Sequence, residues 1–399
     1  MRPAAWPWWV RVLAVWSAAR LVSAALLLVA ATRQEALGAV PAQPSYGTFV
    51  SLMFDGDWYR RIAEDGYPST LPRGADGLVV QNAWAFYPLF PGLVRLVVAV
   101  TGASWEVTAP ALATVLGAAA ALVVHRVVER GAPAACTARP GLPLATVALL
   151  AVFPTAVVTQ VAYTESLALL LVALVLLGLV GRRYALVAVA VVLLGFTRSV
   201  ALPVAAVVGV HALVRLVRAR RGEEPLRPSG AAGLVGLGVL AVASGFAWPA
   251  VTGWVTGVED AYLQTQGAWR GVREVTPFGA LGYATRFWLG GWAVPGLVGA
   301  FALLGGLLLL PAARRLAPEL RAWPAAYVLY LAAVVEPGSS TARFLLLAFP
   351  YAAVVAGLVT RPAVARRAWL AAVVVLSLVL QAVWVLTIWV FTPPADWPP

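Results

Sequence analysis

The chain lacks most of what a water-soluble enzyme uses. Of its 399 residues only 12% are charged, and it contains one cysteine, two histidines and no lysine. The single cysteine, Cys136, excludes an internal disulfide. His125 and His211 stand too far apart for zinc-ligand spacing and read as residues capping or flanking helix ends. Segments of alternating polarity are absent, which excludes a transmembrane β-barrel. Internal repeats, a low-complexity tail and a separable soluble part are also missing, so residues 1–399 read as one integral membrane domain. Basic residues exceed acidic ones by 29 to 17, but the arginines gather in short clusters between apolar runs and form no continuous basic face. That pattern argues against a nucleic-acid partner and reads as topology signals.

What the chain does have is hydrocarbon. It is 61% hydrophobic with a mean hydropathy of +0.85, more apolar surface than a globule can hide from water. Repeated apolar runs long enough to cross a hydrocarbon core of roughly 30 Å predict an all-α, polytopic membrane protein. Eleven spans are expected: 8–31, 106–128, 142–156, 163–181, 184–198, 200–217, 231–253, 293–311, 322–336, 342–360 and 368–391. The first exceeds the core of a signal peptide and carries Arg11 and Arg20, so it reads as a retained anchor. All-arginine basic usage, with abundant Ala, Val, Leu and Gly, suggests a GC-rich bacterial genome and hence a plasma membrane.

Arginine clusters at 126–139, 182–183, 215–227, 314–321 and 361–367 are expected to face the cytoplasm, with the N-terminus. Residues 32–105 then form a first extracytoplasmic loop and 252–292 a second large one, with the C-terminus outside. The stretch NAWAFYPLFPGLVRLVVAV, 82–100, is apolar enough to span, yet counting it would invert every later cluster. Pro88 and Pro91 also break its first half, so it is expected to be a re-entrant or interfacial helix.

The scarce charges concentrate. FDGDWYRRIAEDGYP, 54–68, holds four acids and two arginines beside Trp58, Tyr59 and Tyr67. Asp55 fits a helix cap or an active-site carboxylate equally well, whereas Asp57, Arg61, Glu64 and Asp65 also suit a solvated, paired helix face. Glu165, Arg198 and Arg343 each sit at the edge of a span, and YLQTQGAWRG, 262–271, adds Gln264, Gln266, Trp269 and Arg270. Taken singly, a helix-dipole role for Glu165, snorkelling for the arginines and interfacial anchoring for Trp269 suffice. Independent snorkelling would scatter over both faces, however, and all of these fall on the expected outer side, where charge near hydrocarbon points to function.

FDGDWYRRIAEDGYP followed by NAWAFYPLFPGLVRL resembles the first-loop signature of the PIG-V mannosyltransferases. VFPTAVVTQVAYTESLALLL is similar to that family's turn with Tyr-x-Glu-Ser, GFTRS to its Arg-Ser turn, AYLQTQGAWRG to its Gln-x-x-Trp loop, and SSTARFLLLAFP to its Arg-aromatic segment. The matches run in family order from about residue 50 to 350. Phe54 departs from the usual Trp, and the loop between Tyr67 and Trp84 is short.

The resemblance implies a glycosyltransferase of GT-C type: an inverting transfer of mannose, or a related sugar, from a polyprenyl-phosphate carrier to a hydroxyl of a glycolipid or protein acceptor on the extracytoplasmic face. On that reading Asp55 is the base, with Asp57 in reserve. Arg198, Arg270 and Arg343 meet the leaving phosphate, with Arg61 a weaker choice. Glu165, Gln266 and Trp269 then serve donor binding. No metal ligand is assigned, although the Asp55-Gly56-Asp57 triplet leaves a divalent cation open. The alternative is a flippase or transporter for a lipid-carried sugar, which would display charge through the bilayer midplane.

Overall fold

The computed structural model describes residues 6–393 and is all-helical there, with no strand among the described residues and isolated bridges at Leu37–Val40 and Arg73–Val79. The extreme ends, 1–5 and 394–399, whose sidedness the arginine pattern predicts, lie outside the described residues. A long first helix, α1 (Trp8–Ala31), is followed by α2 (Tyr46–Leu52), α3 (Asp55–Asp65) and α4 (Leu89–Thr101), all three within the expected first outer loop. Then come α5 (Trp105–Gly131), α6 (Pro133–Ala138), α7 (Leu142–Ala151), α8 (Glu165–Val180), α9 (Tyr184–Gly195), α10 (Ala201–Arg220) and α11 (Pro228–Thr256). The last third holds α12 (Ala261–Arg270), α13 (Gly279–Leu289), α14 (Ala293–Leu309), α15 (Pro311–Arg314), α16 (Pro318–Val334), α17 (Thr341–Phe344), α18 (Pro350–Ala356) and α19 (Ala363–Trp384).

Six helical stretches are long and apolar enough to cross a membrane: Trp8–Ala31, Trp105–Gly131, Ala201–Arg220, Pro228–Thr256, Gly279–Leu309 and Ala363–Trp389. The eleven expected spans are therefore not all continuous helices, and proline accounts for the sharpest departures. Pro143 opens α7, the chain turns before Pro154, and α7 is left with 10 residues, only about 15 Å at the helical rise. The expected span 342–360 is broken into α17, a 3-10 turn at Leu345–Leu347 and α18, which restarts at Pro350. Conversely, 252–292 is not an open loop. It contains α12 and α13, and a 3-10 turn from Gly290, at φ 53°, carries α13 into α14 as one apolar stretch. The 82–100 segment forms the 13-residue α4, about 20 Å long and short of a crossing.

Hydrophobic patterning decides who sits in the middle. Helix α8, ESLALLLVALVLLGLV, is apolar around its whole circumference and is buried around nearly all of it, packed along α5 and α9. Small residues set the close approaches. A side chain at Gly117 would strike the Trp16 ring, and one at Gly195 the Ser244 carbonyl, so α5 draws up to α1 and α9 to α11. Helices α5, α8 and α10 all begin near the Asp55 region and end toward Arg130, Arg182 and Arg220 respectively. The start of α1 is tied to that arginine end, with Trp8 stacked on His125 and the Arg126 guanidinium 3.8 Å from its ring centre.

Candidate active site

The first-loop motif is shaped by two close contacts around Asp55. Helix α2 is capped by Ser45, which accepts from the Thr48 amide, and its final carbonyls are already engaged: Val50 O accepts from the Ala162 amide at 2.8 Å and Ser51 O from the Trp105 indole at 3.2 Å. Helix α3 then begins at Asp55 so close to this corner that a Cβ on Gly56 would run into the Ser51 carbonyl. Glycine stands between the two aspartates because nothing larger fits. The turn into the helix is strained: Phe54 has φ 51° and ψ −114°, a conformation that costs a phenylalanine energy and is found where surrounding structure enforces it. The enforcement comes from the far end of the chain, where Trp389 lies edge-on to Phe54 at 5.9 Å and tilted against Tyr163 at 5.3 Å.

Asp55 and Asp57 part company. Asp57 pairs along its own helix with Arg60 at 2.7 Å and Arg61 at 2.6 Å, its carboxylate only 14% exposed between them. Asp55 turns inward. Its Oδ2 accepts from Arg343 Nη1 at 2.6 Å, and its backbone amide donates to the Tyr163 hydroxyl at 3.3 Å. The same Arg343 nitrogen reaches Glu165 Oε1 at 3.3 Å, and that oxygen also accepts from Arg198 Nη1 at 2.7 Å. A chain Asp55, Arg343, Glu165, Arg198 thus joins residues from α3, α17, the first turn of α8 and the α9–α10 corner. Thr164 completes it, its hydroxyl accepting from Arg198 at 3.3 Å and from Tyr59 at 3.4 Å.

The four side chains are not equally accessible. Glu165 is 1% exposed and Arg343 7%, while Asp55 and Arg198 keep 18% and 16%. The outer two can be reached and the inner two hold them. Burial works against the charge on Arg343, but Asp55 and Glu165 on either side outweigh it and keep its pKa above the ordinary value. Arg198 beside Glu165 is treated the same way, burial again being the opposing effect. The Tyr163 and Phe344 rings lie under Arg343 at 4.9 and 5.0 Å, and Phe344 under Arg198 at 4.4 Å, adding aromatic faces that favour the cations. Two buried polar atoms of the cluster have no partner among the described residues: Glu165 Oε2 and Arg343 Nε.

Helix α12 closes one flank. Trp269 meets Trp58 edge-on at 5.2 Å and donates its indole N–H to Asn82 O at 3.3 Å. Arg270 donates to Val334 O at 2.8 Å, and Gln266 lies half-buried on the same helix. Of the residues singled out by sequence, Asp55, Glu165, Arg198 and Arg343 come into one bonded cluster. Trp269 meets Trp58 of α3, Arg270 stands at the end of α16, and Asp57 stays with the arginines of its own helix. The Asp-Gly-Asp triplet does not converge on one point, and among the described residues no group of three His, Cys, Asp or Glu side chains is placed to hold a metal ion.

The chain shares its fold with an archaeal oligosaccharyltransferase. The apo enzyme from Archaeoglobus fulgidus superposes with a TM-score of 0.50 at 14% identity, covering 94% of this chain and 56% of that protein. A second structure of that oligosaccharyltransferase, tethered to an acceptor peptide containing an NVT sequon, matches with a TM-score of 0.48 at 14% identity over 94% of this chain and 55% of that one. A third, in complex with an inhibitory peptide and a dolichol-phosphate, gives 0.49 at 12% identity over 98% and 57%. The chain therefore spans just over half the length of these proteins. No family model and no curated protein matches its sequence. At this identity the likeness is one of fold.

Sequence reading passed over Arg20 as an anchor-helix charge. It is 6% exposed and has no acidic partner among the described residues. Its guanidinium donates to Ala151 O at 2.5 Å, to Thr159 Oγ1 at 2.7 Å and to Ala156 O. Ala151 is the last residue of α7, so the cation sits on the negative end of that helix and pins the 152–164 segment that delivers Tyr163, Thr164 and Glu165. The signal was available: a lone arginine thirteen residues into an apolar helix is too costly to be idle.

Proposed function

We propose that this protein is a GT-C type glycosyltransferase that moves a mannosyl or related sugar from a polyprenyl-phosphate carrier to an acceptor hydroxyl at the extracytoplasmic surface of a bacterial plasma membrane, with inversion at the anomeric carbon. The observation that carries the reading is the Asp55, Arg343, Glu165, Arg198 chain, assembled from four distant segments at the ends of buried helices. Charged groups gathered beside hydrocarbon are expensive to keep unless they have work to do.

Asp55 is the base. Arg343 fixes one of its oxygens and leaves the other to take the proton of an acceptor hydroxyl as that hydroxyl attacks the sugar. The bond to the carrier phosphate breaks on the opposite face. The leaving group changes from a phosphodiester to a phosphomonoester and gains charge, which guanidinium donors stabilise. Asp55 and Glu165 balance Arg343 and Arg198 in formal charge, so the added phosphate charge falls to donors still free on those arginines and to Arg270. Glu165 holds both arginines in place from below. Trp269, against Trp58, gives an aromatic wall on which a sugar ring can rest, and Gln266 adds an amide on the same helix. Residues 1–399 act as one domain, with 32–105 carrying the base. Helices that start at the site and run to the arginine clusters support a cytoplasmic N-terminus and an outward-facing site.

The test is transfer of radiolabelled mannose from polyprenyl-phosphate-mannose in membranes containing Asp55→Asn or Asp55→Ala. A loss of about 10²-fold or more is expected from removing a general base. Full activity in well-expressed variants would remove Asp55 from the mechanism.

A further inference from the structure

At the arginine end of the bundle one cation is buried without a counter-charge. Arg139, which follows α6, is 3% exposed. Its backbone is satisfied, the amide donating to Ala135 O at 2.8 Å and the carbonyl accepting from the Leu142 amide at 3.2 Å. Its side chain is not: the buried Nε has no partner among the described residues. The charge beside it is a second cation. Helix α19 packs on α7, and burial first, then Arg366 of α19, hold the Arg139 pKa below the ordinary value. The glutamates at this end are engaged with other partners: Glu129 with Arg126, Glu224 with Arg182 and Arg215, Glu223 with Arg221, and Glu319 with His211. A buried guanidinium next to another one is costly until an anion arrives. Helix α7 starts three residues on, at Leu142, and its N-cap Gly141 has no side chain to offer the first amides, so its positive end adds to the same potential. The outer flank is apolar. Leu358 and Val364 are 39% and 77% exposed, and the Ala363–Trp389 stretch is only 17% buried in its most apolar window.

We propose that Arg139, Arg366 and the start of α7 form a binding site for a phosphate-bearing anion, with the bare face of α19 favouring a lipid headgroup over free phosphate as its source. A phosphodiester headgroup brings the missing negative charge and acceptor oxygens that suit two guanidinium forks. Its acyl chains then lie along α19 in hydrocarbon, as lipids do at basic pockets between membrane helices. The site is separate from the Asp55 cluster: it stands at the start of α7, whereas Arg20 and the segment carrying Glu165 meet the end of that helix. It holds whether or not the protein transfers sugar.

Delipidated protein in maltoside micelles is titrated with dioleoyl phosphatidylglycerol, dioleoyl phosphatidylcholine or inorganic phosphate. Bound lipid is counted by native mass spectrometry and the unfolding midpoint is followed. Phosphatidylglycerol is expected to bind about tenfold more tightly than phosphatidylcholine and to raise the midpoint. That preference should vanish in Arg366→Gln, a loss the size of one charge-assisted hydrogen bond. Arg139→Met removes the buried charge, so it should unfold at a higher temperature than wild type without lipid and gain nothing from phosphatidylglycerol. Arg221→Gln, at an exposed position of the same end, should respond as wild type does. A response that inorganic phosphate reproduces and competes away supports the anion site and makes its source free phosphate. Equal binding of the two phospholipids, an unchanged preference in folded Arg366→Gln, or an equal loss in Arg221→Gln overturns the site. An Arg139→Met protein less stable than wild type without lipid also overturns it, because the charge would then already be compensated.

Discussion

Gly56→Ala is the smallest change that interrogates the site. Helix propensity alone favours alanine by about 1 kcal/mol. Against that, the new methyl would lie 2.9 Å from the Ser51 carbonyl carbon and nearer still to its oxygen, inside the 3.0 Å that real Cβ contacts respect. The carbonyl cannot swing away without losing the Trp105 indole, and Ala162 stands 3.7 Å away on the other side. The start of α3 must therefore retreat by several tenths of an ångström. Overpacking of this kind costs about 1–3 kcal/mol, so the net destabilisation is about 0–2 kcal/mol. The displaced residue is Asp55, held at 2.6 Å by Arg343; a misplacement of about 1 Å costs about 10²-fold in rate, so a shift of several tenths of an ångström in the proposed base should cost about tenfold. The expected result is a protein that accumulates in membranes, unfolds only a few degrees lower in detergent, and transfers sugar about tenfold more slowly with KM little changed. A Gly56→Ala protein with wild-type turnover would refute both the steric argument and the placement of Asp55 at the reacting centre.

Other substitutions separate neighbouring roles. Arg343→Lys keeps the charge but shortens the side chain and removes the planar group that lies over the Tyr163 and Phe344 rings, so the ammonium should fall short of Asp55 and Glu165 and most of the activity should be lost; a rate within threefold of wild type, measured in the mannose-transfer assay, would count against the bridge. Asp57→Asn should lower thermal stability by about 1 kcal/mol, because it loosens two ion pairs within one helix whose arginines are partly exposed, and should leave turnover within a few fold. Loss as severe as that of Asp55→Asn would return Asp57 to the chemistry. Arg20→Leu takes the guanidinium from Ala151 O and Thr159 Oγ1, while Ala156 O keeps the Thr159 hydroxyl, and should lower stability by about 1–3 kcal/mol, with Arg20→Lys recovering part of it; equal unfolding midpoints for all three proteins would show that Arg20 does not hold the corner.

Composition alone made this a polytopic helical membrane protein, because a chain so apolar has no other way to satisfy its backbone in lipid. Charge scarcity marked the site for the same reason: Asp55, Glu165, Arg198 and Arg343 were conspicuous in the sequence because placing them near hydrocarbon is costly. What the sequence could not count was the spans, since an apolar run reads alike whether it continues, as across Gly290, or breaks, as at Pro350. The family resemblance put Asp55 first with Asp57 in reserve, but nothing in the spacing says which of the two meets Arg343. That choice depends on which side of α3 faces α8 and α17, and it is made by the Ser51 carbonyl against Gly56 and by Trp389 against Phe54, contacts between residues whose relation exists only after the chain has folded. Burial of Arg20 under the α7 corner is of the same kind. Local chemistry says what each residue can do, and only packing says which of them meet.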